Sequence, residues 1–197
     1  NSGVINMGTL EVNGTMALTT DGDGDATIVN DDGINFANST VRGALSATAT
    51  DGNIIDTGTL TITGASTFIT RDAGSNIELD TSDNAFAAAV TMKADTGGSE
   101  TFGDIAFVDS EAVKLHSSAG ANGDLFIDGS TNGAVGGTLS ITATTGNITQ
   151  SLPVTVGTTS SFETSANNAT ITLSNTSNAF AGLVTLSTTG TTAHVII

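Results

Sequence analysis

Apolar and polar residues alternate along most of this chain, in runs of about five or six residues. Alternation at every second position predicts a β-strand with one buried face, because successive side chains of a strand point to opposite sides. The clearest runs are TLTIT (59–63), NIELD (76–80), VTMKA (90–94), DIAFVD (104–109), DLFID (124–128), TLSIT (138–142), PVTVG (153–157), TITLS (170–174) and VTLST (184–188).

Turn-forming residues bound each of these runs, in sequences such as DGDGD, DAGSN and TTGN. No segment spaces its apolar residues by three and four over eleven positions, so we expect no substantial helix. NAFAAAVTM (84–92) is the one helix-like run. Its counterpart NAFAGLVTL (178–186) has a glycine at its centre and keeps the β-branched residues, which favours a strand.

The chain repeats itself at a separation of 94 residues. Residues 43–94 align with residues 137–188 without a gap, and 21 of the 52 positions are identical. Phe68 recurs as Phe162 and Phe86 recurs as Phe180. A repeat of this kind is typical of stacked architectures, in which each unit must dock on the surface left by the unit before it.

The repeat extends outside this block, but its frame changes there. Residues 24–36 match residues 103–115 at a separation of 79, so the second copy carries an insertion at about 120–134. MGTLEVNG (7–14) resembles TGTLTITG (57–64), which indicates that each copy is built from smaller units of roughly 20–30 residues.

Two all-β architectures fit these observations: tandem β-sandwich modules, and a parallel β-helix (β-solenoid) in which every coil adds one strand to each of several sheets. We predict the solenoid, because its small units resemble one another and the Asn-Gly turns of hairpins are rare. We expect one continuous solenoid over 1–197, with repeat copies at 43–94 and 137–188, partial copies at 1–42 and 95–136, and a partial copy at 189–197.

Composition and charge narrow the function classes. The chain of 197 residues has 20 acidic and 4 basic residues, and its net charge is −16. Without a basic patch, binding to nucleic acid or to an anionic membrane is disfavoured. No apolar stretch reaches the roughly 18 residues of a membrane span. The absence of cysteine excludes a disulfide framework and suits a secreted protein.

Three segments, GTLSITATTGNITQ (137–150), NAFAGLVTLSTTG (178–190) and DIAFVDSEAVKL (104–115), resemble the tandem segments of bacterial extracellular β-strand-repeat proteins. Those are filamentous-haemagglutinin-like and autotransporter-passenger-like adhesins and surface fibres. The resemblance covers essentially the whole chain. It implies a right-handed parallel β-helix and a structural or adhesive role outside the cell, as part of a surface fibre or matrix, with matrix or cell-surface polysaccharide as a partner.

The acidic run DGDGDATIVNDD (21–32) is a candidate calcium site. Asp21, Asp23 and Asp25 have the spacing that starts a Ca²⁺-binding loop, and Asp32 falls at its twelfth place. The sixth place, however, is Ala26 rather than glycine, and the twelfth is not glutamate. The alternative is a solvated turn, rich in Asp and Gly because turns need them.

A second acidic segment, 95–104, contains Asp95, Glu100 and Asp104, and paired carboxylates occur in enzymes that cleave sugars. Such sites normally add aromatic platforms and basic residues, whereas this chain has no Trp, no Tyr and four basic residues. We therefore expect no enzyme activity and keep a carbohydrate-binding or carbohydrate-active β-helix as the alternative function. His116 and His194 have no metal-ligand spacing.

The terminal sequences suggest what the rod contacts. AHVII (193–197) matches IAFVD (105–109) at a separation of about 88 and lacks the polar cap that a solenoid end needs. Unpaired strand edges invite pairing with another chain. We therefore expect end-to-end contact, either with flanking repeats of a longer protein or with other copies of this chain.

Overall fold

The chain folds as a parallel β-solenoid of about seven turns. The structure is a computed structural model, and it describes residues 3–94, 103–115, 124–127 and 134–197. Every strand pairing in this part of the chain is parallel, and none of its residues is helical. The predicted fold class is therefore confirmed, and the tandem β-sandwich alternative, which requires antiparallel neighbours, is excluded.

The strands are short, since each crosses only one face of a coil. They are β1 (Ile5–Leu10), β2 (Thr15–Met16), β3 (Ala26–Asn30), β4 (Ile34–Phe36), β5 (Ser39–Val41), β6 (Leu45–Ala49), β7 (Ile54–Asp56), β8 (Leu60–Ile62), β9 (Ser66–Thr70), β10 (Ile77–Leu79), β11 (Ala85–Phe86), β12 (Val90–Lys93), β13 (Ile105–Asp109), β14 (Val113–Leu115), β15 (Asp124–Ile127), β16 (Ala134–Val135), β17 (Leu139–Ala143), β18 (Ile148–Gln150), β19 (Thr155–Val156), β20 (Ser160–Asn167), β21 (Ile171–Thr172), β22 (Ala179–Phe180), β23 (Val184–Thr189) and β24 (Val195–Ile196).

These strands form four parallel sheets along the solenoid. The largest has the order β1-β3-β6-β9-β12-β15-β14-β18-β21-β24, and the second has the order β2-β4-β7-β10-β13-β17-β20-β23. Two three-stranded sheets, β11-β8-β5 and β16-β19-β22, complete the coils. The paired residues of neighbouring strands lie 19 to 35 positions apart in sequence, from Ala26 with Leu45 to Met92 with Ile127. Among the described pairings β14 and β15 are the exception, since Lys114 pairs with Asp124.

The alternation of the sequence places one side chain in two inside the coil. In β3, Ala26, Ile28 and Asn30 are buried, while Thr27 and Val29 between them are partly exposed. Apolar side chains of successive coils stack along the axis and make one continuous core. The core is narrow, since small and branched residues fill most of it and the largest fully buried side chains are phenylalanines.

Four phenylalanines form a stack through the first half of this core. The ring centroids of Phe36 and Phe68 are 6.2 Å apart, and those of Phe68 and Phe86 are 6.1 Å apart, both edge to face. Phe107 lies 5.1 Å from Phe86. The second repeat copy rebuilds one of these contacts with Phe162 and Phe180, 6.0 Å apart. These distances are in the range where aromatic pairs add stability beyond burial alone.

The two repeat copies occupy different sheets, which the sequence alignment did not predict. Leu45 and Leu139 are equivalent in the 94-residue repeat, yet β6 belongs to the ten-stranded sheet and β17 to the eight-stranded one. The change occurs at β13, because Ile105 pairs with Ile77 below it and with Leu139 above it. The second copy is therefore displaced by one sheet around the solenoid axis.

We predict that Phe68→Ala lowers the free energy of unfolding by about 3–5 kcal/mol, because it empties a fully buried site at the centre of the aromatic stack. Thr67→Ala, on the partly exposed face of the same strand, is the matched control and should cost less than about 1 kcal/mol. Urea unfolding followed by circular dichroism measures both. Equal losses for the two variants would contradict the inward placement of Phe68.

Candidate functional site: corner networks and the open ends of the coil stack

The corners between strands carry most of the polar chemistry of this molecule. Where the chain turns from one sheet to the next, its backbone N–H groups leave the strand ladders and need other acceptors. Asn76 N–H donates to Asn53 Oδ1 over 2.8 Å, and Asp104 N–H donates to Asn76 Oδ1 over 2.8 Å. Thr138 N–H continues the series by donating to Asp104 Oδ1 over 2.6 Å. Each side chain thus fixes the turn of the next coil.

The same device recurs at other corners. Side-chain oxygens accept backbone N–H groups of the following coil in four further pairs: Asp25 from Ala44 at 2.7 Å, Asn38 from Thr59 at 2.9 Å, Asn147 from Thr170 at 2.8 Å and Asn168 from Thr192 at 3.0 Å. Asn and Asp suit these positions because a short side chain with an oxygen can bond to nearby backbone. The many Asn and Asp residues of the turns therefore hold neighbouring coils together.

One corner is buried and contains two carboxyl groups. Asp56 is 7% exposed and Asp109 is 2% exposed, and the fully buried Asn84 lies between them in the sequence. Asn84 Nδ2 donates to Asp56 Oδ2 over 2.5 Å, and Asn84 Oδ1 accepts the N–H of Leu60 over 2.8 Å. Asp109 Oδ1 accepts the N–H of Phe86 over 3.3 Å. This network connects three consecutive coils.

Burial raises the pKa of both carboxyl groups. For Asp109 burial raises the pKa to about 6, against the hydrogen bonds from Phe86 and Glu111, which lower it, while the charge of Glu111 adds to the rise. For Asp56 burial also raises the pKa, against the hydrogen bonds from Asn84, Thr81 and Asp80. Desolvation therefore outweighs hydrogen bonding at both positions.

Each buried carboxyl group has a neutral amide as its counterpart in the other repeat copy. Asn30 occupies the place of Asp109, and Gln150 occupies the place of Asp56. Gln150 Nε2 donates to Asn178 Oδ1 over 2.7 Å, and Asn178 Nδ2 donates to Gln150 Oε1 over 2.9 Å, so the amide pair reproduces the contact between Asp56 and Asn84. The fold therefore requires hydrogen bonds at this corner and does not require charge.

The four aspartates of the calcium prediction lie at the beginning of the solenoid. Asp21, Asp23 and Asp25 are exposed, and Asp32 is partly buried. Asp25 Oδ1 is occupied by the N–H of Ala44. Within the described ranges, no three His, Asp or Glu side chains come together in a way that could hold a metal ion. This geometry fits the solvated turn, and the calcium site stays a prediction.

Of the other acidic and histidine candidates, the structure describes only Asp104 and His194. Asp95, Glu100 and His116 lie outside the described residues, as does most of the predicted insertion at 120–134. Asp104 is exposed and serves as a corner acceptor. His194 is exposed on the last coil, with Nδ1 2.8 Å from the carbonyl oxygen of Thr192.

A shallow groove of about 340 Å³ lies beside the first coils. It is lined by Asn13, Gly14, Asp32, Gly33, Ile34, Asn35, Asn53 and Ile55. The lining combines three amide side chains with one carboxylate and two isoleucines, and it includes no basic or aromatic side chain. Such a surface offers hydrogen bonds to a neutral polar ligand and no acid–base pair for cleaving one.

Apolar side chains are exposed at the first and last coils. Val4 and Met7 are 66% and 48% exposed at one end. Leu183, Ile196 and Ile197 are 71%, 47% and 77% exposed at the other. β1 and β24 are the outer strands of the ten-stranded sheet, and β2 and β23 are those of the eight-stranded sheet. Both ends therefore combine open strand edges with apolar surface, the two features that favour a further strand.

The chain matches the model of a known family of repeats. A model of the family described as Repeats of unknown function (DUF5649) matches residues 23–93 and again residues 112–187. No curated protein and no solved structure matches the chain. In the part of the chain that the structure describes, no helix has the length and apolar character needed to cross a membrane.

We predict that Asp109→Asn raises the melting temperature at pH 7. The raised pKa means that the folded state binds a proton more tightly than the unfolded state, so stability falls as the pH rises from about 4 to about 6. An amide at this position, as at Asn30, removes that loss, and the gain should shrink as the pH falls towards 4. Thermal unfolding between pH 4 and pH 8 measures this.

Asp72→Asn controls for the change in net charge, because it removes a carboxylate from an exposed turn. We expect Asp109→Asn to raise the melting temperature at pH 7 by more than Asp72→Asn does. A lower melting temperature of Asp109→Asn at pH 7 would contradict the desolvation argument.

Proposed function

The chain belongs to the DUF5649 repeat family, and from that premise we propose that it is a structural and adhesive rod segment of an extracellular or cell-surface fibre. The coarse part of this statement, a structural repeat β-solenoid, follows from the fold and the family. The observation that carries the proposal is the pair of open ends, where strand edges and apolar side chains are exposed together.

The construction of the coils supports a mechanical role. Backbone hydrogen bonds run along the axis in each sheet, from Ala26 N–H to the carbonyl of Ala44 and from Leu45 N–H to that of Ala65. The corner side chains add further bonds in the same direction. Extension of the rod therefore loads many parallel hydrogen bonds at once, which makes a stacked solenoid stiff along its axis.

Surface charge supports a fibre outside the cell. With a net charge of −16, neighbouring rods repel one another sideways while their ends remain apolar. End-to-end contact is then favoured over lateral aggregation. The resemblance to filamentous-haemagglutinin-like and autotransporter-passenger-like segments is in line with this location, and we propose no catalytic role.

A carbohydrate-binding role is the second candidate, and the groove beside the first coils favours it. Asn13, Asn35 and Asn53 line that groove, and amide side chains are suitable partners for sugar hydroxyl groups. A glycan array of neutral and acidic polysaccharides tests this role. Binding that is lost in Asn35→Ala and kept in Asn38→Ala, a nearby asparagine outside the groove lining, would favour it over a purely structural rod.

We expect antibodies against this chain to label intact cells of the source organism, and protease treatment of intact cells to remove the label. Labelling that appears only after the cells are lysed would contradict the proposed location. Small-angle scattering of the purified chain tests the rod itself. For a rod, we expect a distribution of interatomic distances with a long tail and a single narrow cross-section. A symmetric distribution would contradict the rod shape.

A further inference from the structure

Three strand pairings in this molecule can be compared through the repeat, and their hydrogen-bond pattern is the one that most coils use, as in Ile34 N–H to Asn53 O and Ile54 N–H to Asn76 O. Ile5 pairs with Ala26, Ile77 with Ile105, and Ile171 with Val195. In each pair the N–H of the isoleucine donates to the carbonyl of the residue just before the partner strand, namely Asp25 at 2.9 Å, Asp104 at 2.9 Å and His194 at 3.2 Å. We call these three pairings the junction pairings.

The sequence repeat supports this comparison independently. Ala26 and Ile105 are equivalent in the match of 24–36 with 103–115, and Ile77 and Ile171 are equivalent in the 94-residue repeat. Val195 therefore holds the place of Ile105. This shifts the expected match of AHVII with IAFVD by two residues, since the strand alignment pairs Val195, rather than Ala193, with the position of Ile105.

The chain itself shows what covers such a strand. β3 is covered by β6, with Ala26 N–H donating to Ala44 O over 2.8 Å. β13 is covered by β17, with Ile105 N–H donating to Thr138 O over 2.9 Å.

β6 and β17 hold the same repeat position, in the sequences GALSATA (43–49) and GTLSITA (137–143). β24 is the outermost strand of its sheet in the described structure, so its far edge faces away from the coils.

We infer that the open edge of β24 binds a strand of the GALSATA or GTLSITA type from a further DUF5649 coil, with Val195 opposite the leucine of that strand. This inference rests on the proposed function and names the partner of the last coil. The occupant is a coil whose strand holds the place of β6 and β17, and the coils after Val195 would be displaced by one sheet again, as they are after Ile105.

The first coil of a second copy of this chain fits the edge less well. Because Ile5 lies under β3 as Ile77 lies under β13, Ile5 of that coil takes the place of Ile77, and Ile77 lies on Ile54, a strand of the preceding coil within the copy 43–94. It does not lie on a strand that holds the place of β3 or β13. Direct head-to-tail contact between two of these chains would therefore stack sequences that never meet inside the chain.

His194 lacks the acceptor that the equivalent residues provide, which predicts a weaker hold on the covering coil. Asp25 and Asp104 accept the N–H groups of Ala44 and Thr138 from the covering coil, at 2.7 Å and 2.6 Å. His194 holds the equivalent place and makes a local contact with Thr192 instead. An aspartate at position 194 would provide the missing acceptor, so His194→Asp should hold the covering coil more tightly.

A fusion in the inferred register tests the proposal. Residues 29–70 are appended directly after Ile197. Val195 and Ile197 then take the places of Ala26 and Ile28, so the appended Val29 follows Ile197 as it follows Ile28 in the chain itself. The control carries the same 42 residues with aspartate in place of Leu45 and Ala47, the inward-facing residues of the covering strand. Hydrogen exchange followed by mass spectrometry reports on the amides of Val195 and Ile197.

We expect the exchange of these amides to slow by roughly tenfold or more in the first fusion and to stay unchanged in the control. His194→Asp should slow it roughly fivefold further in the first fusion, as one added hydrogen bond would, and should have no such effect in the unfused chain. Unchanged exchange in the first fusion, or equal protection in both fusions, would overturn the register.

Small-angle scattering of the unfused chain separates a failure of the inferred register from a failure of the proposed rod. An elongated unfused chain with no protection in the first fusion would overturn the register alone. A compact unfused chain would overturn the proposed rod as well.

Discussion

The backbone hydrogen bonds between one coil and the next are the interaction on which this structure depends. The strands are only two to eight residues long, too short to be stable alone. Each acquires partners only when the next coil is laid upon it, as β9 is on β6 and β12 is on β9. The apolar core depends on the same stacking, because Phe36, Phe68 and Phe86 come from three successive coils. A defect in one coil therefore removes support from the next.

The corners meet the same constraint with different chemistry. Their backbone N–H groups leave the strand ladders, and Asn and Asp side chains from the neighbouring coil accept them. Where a corner is exposed, either residue suffices. At the buried corner the repeat copies differ. Asp56 has Gln150 as its equivalent, and Asp109 has Asn30. A charged carboxylate loses its hydration when it is buried at these places, which lowers the free energy of unfolding at neutral pH. In return, the network fixes how the coils stack on one another.

Much of the fold could be predicted from the sequence, because alternation and repetition are local patterns. The runs at 59–63, 76–80 and 138–142 lie on strands β8, β10 and β17, and the repeat itself predicted parallel stacking. The displacement of the second copy by one sheet could not be predicted, since it depends on which strand of the preceding coil Ile105 pairs with. The role of Asn84 was also missed. Its recurrence as Asn178 was visible, but only the contact with Asp56 shows why an amide is needed there. The calcium spacing of residues 21–32 stays a prediction, since within the described residues no three His, Asp or Glu side chains come together as a metal site.

Spin labels in one column of side chains test the central claim most directly, since the chain has no cysteine of its own. Thr67 and Thr91 lie opposite each other in β9 and β12, whereas Thr67 and Glu78 lie on consecutive strands of one coil. Coil stacking predicts strong dipolar broadening for labels at 67 and 91, whose strands are about 4.8 Å apart, and little for labels at 67 and 78. Strong broadening for 67 and 78 with none for 67 and 91 would mean that consecutive strands pair, and it would contradict the solenoid.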